Sequence, residues 1–261
     1  MMVEIENRAR ATLVAFGSAI CLGALLWFSG PSPAIAASGG HPNLSAPVNL
    51  KDAVSLQRGA HLFVNYCMGC HSANYMRYNR LTEIGLTEEQ IKQYLLIGTD
   101  KVGSTMSIAM RPADAKEWMG KAPPDLTVIA RSKRPDYLYT LLKTYYADDT
   151  KATGWNNLAY PNIAMPHPLW QLQGLPELKV EDKQSHGHIV QVKSTVPGEP
   201  GTLSAIEYDQ AVGDLVNFLV YMGEPWKVQS NRIGIIVMFF LTILLVLAYL
   251  LKVEYWRDIK H

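Results

Sequence analysis

The run Cys67-Met68-Gly69-Cys70-His71 decides what this chain is built around. C-x-x-C-H is the attachment signature of a c-type haem. Two cysteine sulfurs form thioethers to one edge of the porphyrin, and the adjoining histidine reaches its face as the proximal iron ligand. Two other readings compete. A thioredoxin-like redox pair needs no following histidine and sits in a strand–helix–strand context. A zinc site needs a second ligand pair, and of the 3 cysteines only Cys21 lies outside the motif. The motif therefore predicts one covalently attached haem c, its iron held by His71.

Working outward, the 261 residues allow one sizeable domain plus targeting and anchoring segments. A net charge of +1 without a concentrated basic patch argues against a nucleic-acid partner. Arg8 and Arg10 precede an apolar run, Ala11 to Phe28, which leads into prolines and an A-x-A ending at Ala36. This predicts a secretory signal peptide over residues 1–36, although the run also has the length of a retained anchor. A second uncharged run, Ile233 to Leu251, matches the ~30 Å hydrocarbon core at ~1.5 Å per residue. The expected organisation is an exported haem domain over 37–231, a membrane helix over 232–252 and a cytoplasmic tail over 253–261. Export brings an oxidising compartment, where neighbouring free thiols are a liability. Two thioether bonds remove it.

Within the domain the patterns are mainly helical. Apolar positions Val54, Leu56, Leu62 and Phe63 predict a helix from Asp52 to Tyr66, running into the haem motif. Thr87 and Gln90 form a capping box for a helix whose apolar face is Ile91, Tyr94, Leu95 and Leu96. Pro123-Pro124-Asp125-Leu126 predicts a short helix start; Tyr137 to Tyr146 predicts another helix. Gly154 to Trp170 has no periodicity, which in a compact domain points to function. His188 to Ser194 alternates like a short strand inside a polar excursion, Lys179 to Gly201. Ser204 to Met222 predicts a long amphipathic helix.

A six-coordinate haem needs a second axial ligand, for which methionine and histidine are the usual donors. Met165, in the aperiodic loop, is the leading candidate, and His167 is its rival two residues on. Met106, Met110 and Met119 share a polar segment and compete; Met222 and Met238 sit in apolar helical positions that suit core or lipid. Arg131, Lys133 and Arg134 follow the proline pair and suit either haem propionates or solvent.

RGAHLFVNYCMGCHSANYMRYNRL (58–81), APPDLTVIAR (122–131), DYLYTLL (136–142), YPNIAMP (160–166) and VNFLVYMGEP (216–225) together resemble the cytochrome c1 family. That family supplies the haem subunit of the quinol:cytochrome c oxidoreductase, or bc1, complex. The resemblance implies a class I cytochrome c-like domain, mainly α, with a small irregular or β excursion and a single C-terminal transmembrane helix. It implies Cys67, Cys70 and His71 on the haem, Met165 as distal ligand, Pro124 packed on the ring and Tyr137 at a propionate. The family's propionate-binding arginine falls about two residues beyond Arg131, where this chain has Lys133 and then Arg134; Arg131 and Arg134 are the arginines at hand. The implied role is a redox subunit without bond-making catalysis of its own. It takes an electron from the Rieske iron-sulfur protein beside cytochrome b and passes it to a soluble or membrane-bound cytochrome c, in a dimeric complex of a bacterial inner membrane. A tethered cytochrome c for a terminal oxidase is the nearest alternative; a haem enzyme or gas sensor would need an open iron position.

Overall fold

The computed structural model describes residues 44–185 and 188–258. The signal-peptide expectation and Cys21 lie outside the described residues.

Among the described residues helix dominates, with sheet in three two-stranded ribbons. The core is organised by helix α1 (Ala53–Leu62) against helix α7 (Ala205–Gly223). Each carries its own start signal. The Asp52 carboxylate accepts from Ser55 N–H at 3.0 Å. Ser204 Oγ accepts from Glu207 N–H at 3.4 Å, while Glu207 Oε2 accepts from Ser204 N–H at 2.9 Å, a reciprocal capping box. Ser204→Ala is expected to lower stability by about 1 kcal/mol. That is a fall of roughly 2–4 °C in Tm for a domain of this size, read by thermal unfolding.

The two helices meet at Gly59. A Cβ there would lie 2.1 Å from Asp214 O and 2.7 Å from Phe218 Cβ, so only glycine permits this approach. Phe63 meets Phe218 with ring centroids 5.7 Å apart. Arg58 grips Asp214 through both carboxylate oxygens, at 2.5 and 3.0 Å. Fully buried Asn217 is satisfied in turn: its Oδ1 accepts from Asn49 N–H, and its Nδ2 donates to Asn49 O and Ser55 Oγ.

From α1 the chain continues through one π-helical turn, Phe63–Cys67, into the haem motif; such turns mark functional positions. Strand β1 (Ala73–Arg77) pairs antiparallel with β2 (Thr105–Met106). Between them lie a 3₁₀ turn, Tyr78–Ile84, and α2 (Glu88–Tyr94). The Thr87/Gln90 capping box is present as expected. Tyr94, however, is 63% exposed, because the helix ends there and only Ile91 of its residues is buried.

Helices α3 (Pro112–Met119), α4 (Ile129–Lys133) and α5 (Pro135–Lys143) follow. The expected helix start at Pro123 is corrected: the chain there is irregular and α4 begins only at Ile129. Its backbone groups are used across the fold instead, with Leu126 N–H donating to Ser72 O at 2.9 Å. Asp125 caps a local turn, accepting from Thr127 N–H and Oγ1, and also accepts from Asn74 N–H. The helix expected to reach Tyr146 stops at Lys143, since Tyr145–Ala147 forms β3, paired with β4 (Trp155–Asn157).

After a short α6 (Trp170–Gln173), β5 (Gly174–Ser185) and β6 (His188–Pro200) form one long hairpin, in place of the short strand expected over His188–Ser194. Cross-strand pairing carries its charged residues, which by pattern alone read as loop. Helix α8 (Lys227–Tyr255) then contains the anchor run and extends it at both ends. At ~1.5 Å per residue its 29 residues span about 43 Å, more than the ~30 Å bilayer core. Its side chains are exposed throughout, as a lipid-facing helix requires. Only Glu224, Pro225 and Trp226 separate it from α7.

Candidate haem-binding site

Cys67 closes the π-helical turn and is buried, whereas Cys70 is exposed. Cys67 O accepts from Cys70 N–H at 3.1 Å and from His71 N–H at 2.9 Å, winding the motif into a tight turn. Burial, reinforced by neighbouring Cys70, pushes the Cys67 thiol up to about 12. A redox-active dithiol needs the opposite shift, toward thiolate. Among the described residues no three His, Cys, Asp or Glu side chains gather to hold a metal ion.

Met68, inside the motif, is buried, and its sulfur accepts from the Tyr78 hydroxyl at 3.7 Å. Tyr78 is itself fully buried and accepts from Ile97 N–H at 3.4 Å, tying the motif to the end of α2. No local pattern signals this partnership, which spans ten residues and a strand.

His71 Nδ1 lies 2.7 Å from Pro124 O. A carbonyl only accepts, so Nδ1 carries the proton and Nε2 keeps its lone pair. Burial holds the His71 ring below its ordinary imidazole range, with Pro124 and Asp125 opposing, so the ring is neutral at pH 7. A neutral imidazole oriented by a carbonyl behind it is what iron ligation asks of a histidine. Pro124 itself is exposed, so its evident service is through the carbonyl; the absence of a helix at Pro123 leaves that oxygen free to accept.

Of the competing sulfurs, Met106 and Met222 are buried in the core, and Met110 is half-buried outside helix and strand. Met238 is exposed on α8 and Met119 at the end of α3. Met165 is half-buried in the loop after β4. Its rival is differently employed. His167 is 1% exposed, its Nε2 lies 2.7 Å from Gln173 Oε1, and its Nδ1 accepts from Leu169 N–H at 3.4 Å. Both ring nitrogens are committed, and burial holds the ring down at about 4, hence neutral.

Tyr137 is half-buried, its phenol raised above the ordinary range by burial and by nearby Tyr160. Arg131, Lys133 and Arg134 are all exposed. The stem of Arg131 lies over Gly223, where a Cβ would sit 3.4 Å from its Cγ. Arg134 has φ +69°, a left-handed backbone that is costly for a residue before proline.

The donor set thus fits a c-type haem: two cysteines on one turn, a neutral oriented histidine, and a methionine loop with its sulfur uncommitted. Residues 43–186 and 196–259 match the Cytochrome C1 family. The chain is 46% identical to cytochrome c1 of Allochromatium vinosum, covering 88% of this chain and 94% of that protein. It is 48% identical to a Nitrosomonas europaea protein named ammonia monooxygenase gamma subunit, covering 82% and 87% of the two chains. Cytochrome c1 of Rhodospirillum rubrum is 28% identical, over 80% of this chain and 84% of the relative. The chain belongs to the cytochrome c1 family, the electron-transfer subunits of the bc1 complex, and carries one covalently bound haem c.

Proposed function

We propose that residues 37–231 form an exported, class I-type haem domain on the periplasmic side of a bacterial inner membrane. Helix α8 crosses that membrane, and the last residues face the cytoplasm. In this reading Cys67 and Cys70 hold the haem covalently, His71 and Met165 are its axial ligands, and Pro124, Arg131, Arg134 and Tyr137 line its edge. The haem, when bound, supplies a one-electron ferric/ferrous couple.

The chain's own residues set how that couple is used. The Pro124 carbonyl fixes the His71 tautomer and ring direction, which would leave the Nε2 lone pair to hold the iron. A thioether opposite favours the reduced form and raises the potential. With His71 and Met165 both holding the iron, no position would remain for a substrate, which suits one-electron transfer. The donor in this reading is the Rieske iron-sulfur protein beside cytochrome b; the acceptor is a cytochrome c, and the complex is a dimer.

The observation that carries this reading is the full commitment of His167, which leaves Met165 as the uncommitted axial donor of its loop. Purification through a tag on the full-length chain tests the assembly. A b-type cytochrome and an iron-sulfur protein are expected to co-isolate, and quinol is expected to reduce the haem in a single-turnover mix. Isolation without them, or with a monooxygenase as the Nitrosomonas relative's name suggests, would overturn it.

A further inference from the structure

The loop from Leu158 to Leu169 has almost no regular structure, yet its backbone is held from both sides. Upstream, two buried asparagines grip it. Asn157 Oδ1 accepts from Ala159 and Tyr160 N–H, at 2.8 and 3.0 Å, and Asn156 Oδ1 accepts from Asn162 N–H at 2.8 Å. Asn157 Nδ2 donates to Leu141 O and Asn156 Nδ2 to Asp148, so both amides are themselves fixed.

Downstream, His167 does the holding. Its ring stacks on Tyr145, with centroids 4.6 Å apart and planes 7° from parallel. Trp155 meets it edge-on at 5.1 Å and 78°. Gln173 and Leu169 N–H occupy its two nitrogens. Tyr145 links the clamp to the methionine: its ring lies against His167, and its hydroxyl donates to Met165 O at 3.3 Å. Between Met165 and His167 stands Pro166, and Pro168 follows. Each proline fixes its own φ, and each restricts the residue before it. Few soft dihedrals therefore separate the clamped imidazole from the Met165 Cα.

We propose that His167 is the positioning residue of the distal ligand: clamped by Tyr145, Trp155 and Gln173, it sets where the Met165 thioether stands. This rests on Met165 being that ligand. A ligand must be held within ~0.5 Å of its working geometry by groups whose own rotamers are locked. His167 is held by two aromatic rings, at both nitrogens and by two flanking prolines.

The test uses the haem-loaded, full-length protein with three readouts: midpoint potential, the ferric methionine–iron charge-transfer band, and carbon monoxide binding by the ferrous form. His167→Ala is expected to weaken the band, lower the potential and raise the carbon monoxide-reactive fraction about 10- to 100-fold, the usual scale for an outer-shell support. Tyr145→Phe, which keeps the stack and loses the bond to Met165 O, and Gln173→Ala are expected to move all three the same way by less. His167→Gln, which keeps a side-chain donor, is expected to recover part of the loss. A merely structural His167 would lower thermal stability and leave the folded fraction with unchanged potential, band and carbon monoxide inertness; that result overturns the proposal. If His167→Ala does not accumulate, unchanged readouts in both Tyr145→Phe and Gln173→Ala overturn it equally. Met165→Leu is measured alongside. If it too leaves all three readouts unchanged, the ligand reading fails and the proposal with it; if it moves them while the His167 set does not, the proposal alone fails.

Discussion

Met165→Leu is expected to lower the haem midpoint potential by roughly a few tenths of a volt, within the ~0.8 V range over which axial ligands tune haem. The same change should open the ferrous protein to carbon monoxide. Leucine and methionine have similar volumes, so the exchange removes a soft donor with little disturbance of packing. The loop should keep its course, since Tyr145 holds the Met165 carbonyl rather than its side chain, and the asparagine and His167 anchors lie elsewhere. A redox titration with a carbon monoxide difference spectrum checks it. An unaltered potential and spectrum would place the sixth ligand on another residue.

The second large effect is on folding. In an open helix Gly→Ala stabilises by about 1 kcal/mol, because alanine loses less backbone entropy. At Gly59 the sign is expected to reverse. The new methyl would fall 2.1 Å from a backbone oxygen of α7, and a backbone has no rotamer with which to step aside. Overpacking of this kind costs about 1–3 kcal/mol and more where backbone must move. Separating the helices also strains the Arg58–Asp214 pair one residue away. A loss near 3 kcal/mol is a large share of the ~5–15 kcal/mol that holds a domain together. Gly59→Val should therefore accumulate poorly, and Gly59→Ala should melt well below the parent. A Tm equal to or above the parent's would show that α1 and α7 meet more loosely than this.

What was legible in the sequence was chemistry whose partners are near neighbours. The Thr87/Gln90 box needs only four adjacent residues and was found where expected, and the apolar run from Ile233 to Leu251 lies within one helix. The Ser204/Glu207 box carried the same four-residue signal at the start of α7. Pro123-Pro124 misled because proline suits a first helical turn and an irregular segment alike. The decision came from 53 residues away, where His71 uses the Pro124 carbonyl. The β5–β6 hairpin was half-hidden because Lys179, Glu181, Asp182 and Lys183 mask the alternation, and pairing with β6 supplies what the pattern lacks. His167 shows the limit most plainly. Its chemistry suits a ligand, and only the placement of Tyr145, Trp155 and Gln173 around it reveals a different employment.

The three residues between Gly223 and Lys227 have a consequence for traffic. At ~3.5 Å each they reach about 10 Å when fully stretched, roughly the width of one helix. So short a joint gives the domain a post instead of a leash. In the proposed anchoring, a haem on a post stays close to the point where α8 enters the bilayer instead of swinging between distant partners. In the proposed chain of carriers, whatever feeds it and whatever empties it must do the travelling. Throughput should then follow the arrival and departure of those visitors: sensitive to medium viscosity and ionic strength, indifferent to lateral diffusion of this subunit.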